Sequence, residues 1–157
     1  MMQKTDMRIK NAEAQDADII AEIEIECFSA PWSKIQVAEE IVKENVIFLV
    51  AKIDDVLCGY VSGQMILDEF YISNIAVTKD YRNRGVASLL LENLICELQS
   101  RTCAFATLEV RESNFSARKL YEKFCFTNLG IRKDFYSNPK ENACIYTLYF
   151  NERMENI

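Results

Sequence analysis

Apolar positions along the chain change period several times, and each change marks an element. Ile19, Ile20, Ile23 and Cys27 recur at three- and four-residue spacing behind Asp16, a residue suited to cap a helix N-terminus. An amphipathic helix is therefore expected from residue 16 to about 28, ended by Pro31. Ser33 followed by Gln36, ahead of Ile35, Ala38, Ile41 and Val42, predicts a second short helix opened by a capping box. From Val46 the period shortens. Residues 46–53 and 57–67 are apolar runs separated by Asp54-Asp55, which predicts two strands joined by a tight acidic turn. A third strand, over about 69–77, completes an antiparallel meander. Leu89, Leu90, Leu91, Leu94, Ile95 and Leu98 then lie opposite Ser88, Glu92 and Gln99, so 86 to about 98 is a helix with a broad apolar face to lay on a sheet. The rest reads as strand 105–110, helix 115–124, and strands 126–135 and 143–150. This order, α-α-β-β-β-α-β-α-β-β, predicts an α/β fold: a mixed sheet with helices on both faces.

Composition narrows the chemistry. A chain of 157 residues suffices for one domain and is short for two, so 1–157 is expected to be a single unit with a core over about 7–150. Four glycines and two prolines leave no visible linker. The net charge of −6 disfavours nucleic acid and anionic membrane as partners and suits a cationic or amine-bearing one. There is no histidine, which removes the Ser-His-Asp triad, the Cys-His pair and every histidine metal ligand. Chemistry must run on carboxylate, tyrosine, cysteine, lysine or backbone groups. The six cysteines form no C-x-x-C pair, so neither a metal site nor a redox motif is expected. Met1 to Lys10 is polar, no apolar stretch reaches membrane-spanning length, and scattered free thiols suit a reducing compartment; a cytoplasmic protein is expected.

The most informative segment is Ile75-Ala-Val-Thr-Lys-Asp-Tyr-Arg-Asn-Arg-Gly-Val-Ala87, where a strand runs through a basic loop into the long apolar helix. The first N–H groups of a helix lack intrahelical partners and sit at the positive end of its dipole, so they can cradle a diphosphate. Gly85 and Ala87 let backbone approach such an anion closely, and Lys79, Arg82 and Arg84 concentrate positive charge in an acidic chain. An ordinary strand-to-helix turn with solvated cations would use the same residues. The loop is neither a Walker loop nor a G-x-G-x-x-G fingerprint.

Arg82-Asn-Arg-Gly-Val-Ala87 resembles the R/Q-x-x-G-x-G/A signature of the Gcn5-related N-acetyltransferases (GNAT). Further segments are similar to the bacterial ribosomal-protein-alanine N-acetyltransferases, the RimI type. These are Ala30-Pro-Trp-Ser33, Asn74-Ile-Ala-Val77 ahead of Asp80-Tyr81, Leu108-Glu-Val-Arg-Glu-Ser-Asn114, Leu120-Tyr-Glu-Lys-Phe-Cys-Phe126, and Arg132-Lys-Asp-Phe-Tyr136 with Glu141-Asn-Ala143. The likeness runs from about residue 28 to 150. It implies the GNAT fold, with a central, mostly antiparallel sheet of six or seven strands. It also implies acetyl-CoA as co-substrate without a metal, and direct acetyl transfer to a protein N-terminal α-amine, that of an N-terminal alanine on a small-subunit ribosomal protein.

The same resemblance assigns roles. Glu109 is the base, acting directly or through a water, and Tyr121 the acid that meets the departing thiolate. Backbone of Ile75, Ala76 and Val77 pairs with the pantetheine arm and polarises the thioester carbonyl. Arg82, Asn83, Arg84, Gly85, Val86 and Ala87 hold the diphosphate, and Asn114 touches the coenzyme. Trp32, Tyr136 and the loop around Pro139 are candidates for gripping the acceptor peptide.

On residues alone each role has a plainer counterpart. Leu108 and Val110 point away from the face of Glu109, which fits a directed carboxylate or a solvated one. Tyr121 falls in a stripe with Leu120 and Phe124 that could be core. A phenol of pKa ~10 is a weak donor to a thiolate whose acid has pKa ~8.5, so Tyr121 acts as acid or as hydrogen-bond stabiliser. Asn114 suits an N-cap, and Trp32 a core position. Two positions depart from the pattern. Cys125 stands where the family has a helix-ending glycine, at ~1 kcal/mol or more for a Cβ at positive φ. Asn142 stands where the family tends to have Asp, which removes a negative charge near the acceptor. A cysteine-relayed transfer lacks an activating histidine. Other readings are acetylation of a small amine, a polyamine or antibiotic, and a non-catalytic acyl-CoA sensor, which would need neither Glu109 nor Tyr121.

Overall fold

The computed structural model describes residues 6–150; 1–5 and 151–157, which the single-domain reading also takes in, lie outside the described residues. Strands β1 (Met7–Asn11), β2 (Val46–Ile53), β3 (Val56–Ile66), β4 (Glu69–Val77), β5 (Phe105–Arg111), β6 (Thr127–Ser137) and β7 (Lys140–Tyr149) form one seven-stranded sheet in the order β1-β2-β3-β4-β5-β7-β6. All neighbours run antiparallel except β4 and β5. Helices α1 (Ala17–Cys27) and α2 (Lys34–Ile41) cover one face, α3 (Val86–Ser100) and α4 (Phe115–Lys123) the other.

The pleat sorts neighbours into these two layers. Val50 and Tyr60 join Ile20, Ile23 and Val37 under α1 and α2, while adjacent Leu49 and Val61 join Leu90, Leu91, Leu94 and Leu98 under α3. Central strands buried on both faces therefore read as continuous apolar runs. Asp54 and Asp55 take φ of 49° and 68°, the left-handed pair that a two-residue hairpin requires, as their spacing predicted. Ser33 and Gln36 form the expected capping box, with Ser33 Oγ accepting from Gln36 N–H at 3.2 Å and Gln36 Oε1 from Ser33 N–H at 2.8 Å.

Two local expectations change. Strand β1 was not anticipated in the polar N-terminal segment; Met7 and Ile9 alternate with Arg8 and Lys10, and the strand pairs with β2 in the register Met7↔Ile53. Asp16 does not cap α1 through its side chain. Its Oδ2 accepts from Glu13 N–H at 2.8 Å, closing the 3-10 turn Ala14–Asp16 that feeds the helix, and its Oδ1 lies 3.8 Å from the Lys52 ammonium.

Among the described residues no helix is long and apolar enough to cross a membrane. The six cysteines are unpaired with one another. One irregularity positions everything that follows. Parallel β4 and β5 pair only over Glu69–Tyr71 with Phe105–Thr107, so beyond Tyr71 the two strands part and the second half of β4 keeps an open edge.

Candidate active site

Thr78 N–H donates to Cys58 C=O at 2.8 Å, which fixes the phase of hydrogen bonding along β4. By the alternation of an antiparallel ladder, the backbone groups of Ile75 and Val77 then face away from β3 into the opening beside β5. Arg82 Nε donates to Val77 C=O there at 3.0 Å, and its Nη2 reaches Cys27 Sγ at 3.4 Å. The following loop is left-handed at Asn83 (φ 62°) and Gly85 (φ 83°). That geometry turns successive N–H groups inward. Helix α3 begins at Val86 with no side-chain cap, so its first donors are free for an anion. A Cβ placed on Gly85 meets no atom within 4 Å, so the loop opens on free space at that point.

A cavity of about 700 Å³ runs along this edge. Of the positions expected to hold coenzyme, Ile75, Ala76, Val77, Arg82, Asn83, Gly85, Val86, Ala87 and Asn114 line it. Arg84 is not part of that wall; its guanidinium lies 5.1 Å over the Tyr81 ring. Lys119 and Lys123, one turn apart on α4, also line the cavity. They were not legible from the sequence, where two cations at helical spacing look like any solvated face.

A second cavity, about 560 Å³, is walled by Phe28, Ala30 and Trp32 of the α1–α2 connection, Ser73 and Asn74 of β4, Arg111 of β5, and Asn138 and Pro139 of the β6–β7 turn. Cys27, Phe28 and Asn114 line both cavities, which therefore meet between them. Asn114 lines both cavities, and its Oδ1 also accepts from Ala117 N–H at 3.2 Å and caps α4. Cys27 is the thiol at the junction; burial pushes its pKa up, against a cysteine nucleophile.

Neither Glu109 nor Tyr121 is among the residues that line these two cavities. Glu109 is exposed on the face of β5 opposite buried Leu108 and Val110, with Oε1 3.2 Å from Arg132 Nε. Tyr121 is 4% exposed, its ring 5.8 Å from Phe126 and 5.9 Å from Tyr146. Burial, with Tyr136 nearby, pushes its phenol well above the ordinary range. Tyr136 is half-buried beneath the Arg111 guanidinium, 4.3 Å from its ring, and its phenol too is raised by burial. Cys125 has φ 70°, and Phe126 N–H to Tyr121 C=O and Cys125 N–H to Glu122 C=O, both 3.0 Å, complete the helix-ending motif that a glycine would make. The departure thus leaves the turn intact. Asn142 Oδ1 accepts from Asp134 N–H at 2.9 Å, so its amide braces the irregularity in β6.

Glu24 is the prominent residue the sequence did not disclose. Only 1% exposed, its carboxylate accepts from the Tyr60 hydroxyl, from Asn74 Nδ2 at 3.0 Å and from Trp32 N–H at 3.3 Å. One buried acid thereby binds α1, β3, β4 and the Trp32 loop together under the second cavity. Burial and this negative neighbour raise the Tyr60 phenol far above its usual value. The available signal was position: Glu24 lies four residues after Ile20 and three before Cys27, on the apolar stripe.

Comparison with known proteins agrees with this geometry. Residues 17–126 match the acetyltransferase (GNAT) family. The ribosomal protein bS18-alanine N-acetyltransferase of Haemophilus influenzae is 36% identical over 144 residues, 90% of this chain and 97% of that one. The crystal structure of the ribosomal-protein-S18-alanine N-acetyltransferase from Escherichia coli superimposes with a TM-score of 0.85 at 33% identity, covering 92% and 94% of the two chains. The PaiA N-acetyltransferase of Thermoplasma acidophilum, solved with coenzyme A, shares the fold at 17% identity and a TM-score of 0.78, over 92% of this chain and 99% of that one. The chain belongs to the acetyltransferase (GNAT) family and is an N-acetyltransferase.

Proposed function

We propose that this enzyme transfers acetyl from acetyl-CoA directly to the α-amine of a protein N-terminus, an N-terminal alanine of a ribosomal protein. The observation that carries the reading is the meeting of two cavities at Cys27, Phe28 and Asn114, one along the open edge of β4 and one peptide-sized beyond it. The relatives named above carry the same acceptor in their names.

In this reading the coenzyme supplies a thioester and an anionic diphosphate. The free donors at the start of α3 hold the diphosphate, and backbone of Ile75 and Val77 aligns the arm and polarises the thioester carbonyl. An α-ammonium of pKa ~8 loses its proton to Glu109 through an ordered water. Glu109 lies two residues before Arg111 on the same face of β5, about 7 Å along the strand, a gap its side chain and one water span. As the N–C bond forms and the C–S bond breaks, the second proton of the amine leaves to solvent water, and the thiolate takes, or is hydrogen-bonded by, the proton of the Tyr121 hydroxyl, which solvent restores if it is given up.

Substituting Gly85→Val should raise KM for acetyl-CoA by about 10-fold or more with kcat little changed, since φ 83° strains any Cβ and the new side chain fills the cradle. Initial rates against acetyl-CoA concentration measure this. The acceptor is tested by mass spectrometry of peptides with varied N-termini after incubation with acetyl-CoA. Alanine-initiated peptides label first; labelling of lysine side chains or small amines instead would overturn the acceptor while leaving the coenzyme site standing.

A further inference from the structure

Arg111 ends β5, and every polar contact of its guanidinium described here is with the β6–β7 hairpin. Nη1 donates to Pro139 C=O at 2.8 Å and to Glu141 Oε1 at 3.3 Å, Nη2 donates to Asn138 C=O at 3.3 Å, and the plane covers the Tyr136 ring at 4.3 Å. Glu141 completes the clasp from the other side. Its Oε2 accepts from Ser113 N–H at 2.6 Å, tying the hairpin to the turn between β5 and α4. The Arg111 and Glu141 side chains are only 25% and 18% exposed, so solvent screens the pair less than an open surface pair.

The hairpin needs such a clasp. Strand β6 is the edge of the sheet, exposed along nearly its whole length, and its ladder with β7 is interrupted between Arg132 and Tyr136. Asn138 and Pro139 at the tip nevertheless form one wall of the second cavity, and Arg111 lines the same cavity. We infer that Arg111 is a positioning residue for the acceptor: it holds the β6–β7 tip as a fixed wall, and so sets how tightly the residues behind the reacting amine are gripped. A lysine cannot substitute, because a compact ammonium lacks the planar fork that reaches two carbonyls and a carboxylate while covering a ring.

This inference rests on the acceptor reading above, and the experiment separates the two. Steady-state kinetics are compared for wild type, Arg111→Lys, Arg111→Ala and Glu141→Gln with three varied substrates: acetyl-CoA, an alanine-initiated hexapeptide, and an alanyl dipeptide amide, which offers a single residue behind the alanine. In Arg111→Lys and Arg111→Ala, KM for the hexapeptide should rise about 10-fold or more. Their KM for acetyl-CoA, and their kcat/KM for the dipeptide amide, should stay within about three-fold of wild type. Glu141→Gln should shift the same parameter in the same direction by less. An unchanged hexapeptide KM, or equal losses for hexapeptide and dipeptide amide, would overturn the inference. Should Arg111→Ala fail to fold, Arg111→Lys and Glu141→Gln decide. A wild type inactive on every alanine-initiated acceptor sinks the acceptor reading, and this inference with it.

Discussion

Glu109→Gln lowers kcat by about 100-fold or more at neutral pH and leaves KM for acetyl-CoA within about two-fold. Glutamine keeps the volume of glutamate and can still accept a hydrogen bond from Arg132, so the β5 surface is little disturbed. What it loses is the capacity to take a proton. An α-amine of pKa ~8 is about one-tenth neutral at pH 7 and mostly neutral at pH 9, so the need for a base fades as pH rises. The deficit of the variant should therefore shrink about ten-fold between those limits, read from kcat/KM for the peptide against pH. Full turnover at pH 7 would remove Glu109 from the mechanism. A deficit independent of pH would reassign it to holding the acceptor.

Tyr121→Phe is expected to cost about 100-fold or more in kcat with both KM values nearly unchanged. The ring is 4% exposed and fitted against Phe126 and Tyr146, so phenylalanine occupies the same space and thermal unfolding should shift little. Burial raises the phenol pKa, so the hydroxyl keeps its proton across the assay range, and no loss of activity below about pH 10 should be traceable to it. The same shift makes it a reluctant acid. In the proposed role, hydrogen-bonding of the developing thiolate is then the larger part of its work. A variant with wild-type kcat would mean that the thiolate departs without help.

Elements whose sequence signal is local were legible. The capping box at Ser33, the turn at Asp54-Asp55 and the stripe of α3 lie where residue chemistry places them, whereas Cys125 takes the left-handed turn against the cost of its Cβ. β1 was hidden because five residues with two apolar positions carry too little period, and its identity as a strand comes from pairing with residues 38 to 46 positions away. Asp16 shows one local preference displaced by another, a 3-10 turn taking the carboxylate that the helix could have used. The loop from Arg82 to Ala87 declared itself through glycine, charge and position. Glu24 and Arg111 did not, because their partners are Asn74 and Tyr60 in one case and Asn138 to Glu141 in the other. Only the strand order, with β5 beside β7 and β7 beside β6, brings such groups together.

The parting of β4 from β5 also bears on how the molecule breathes. Three residue pairs of parallel ladder join the leaf β1–β4 to the leaf made of β5, β7 and β6. Between those leaves the sheet has a seam, bridged otherwise by the side chains of α3 and α4, and partial openings of the native state follow the weakest run of bonds. In the proposed placement, an extended coenzyme arm laid against the free edge would stitch that seam. Bound so, it would act as a temporary strand, and at a hundred times its dissociation constant it would add about 2.7 kcal/mol to the resistance against unfolding. In that placement the substrate would complete the fold along the edge where β4 leaves β5.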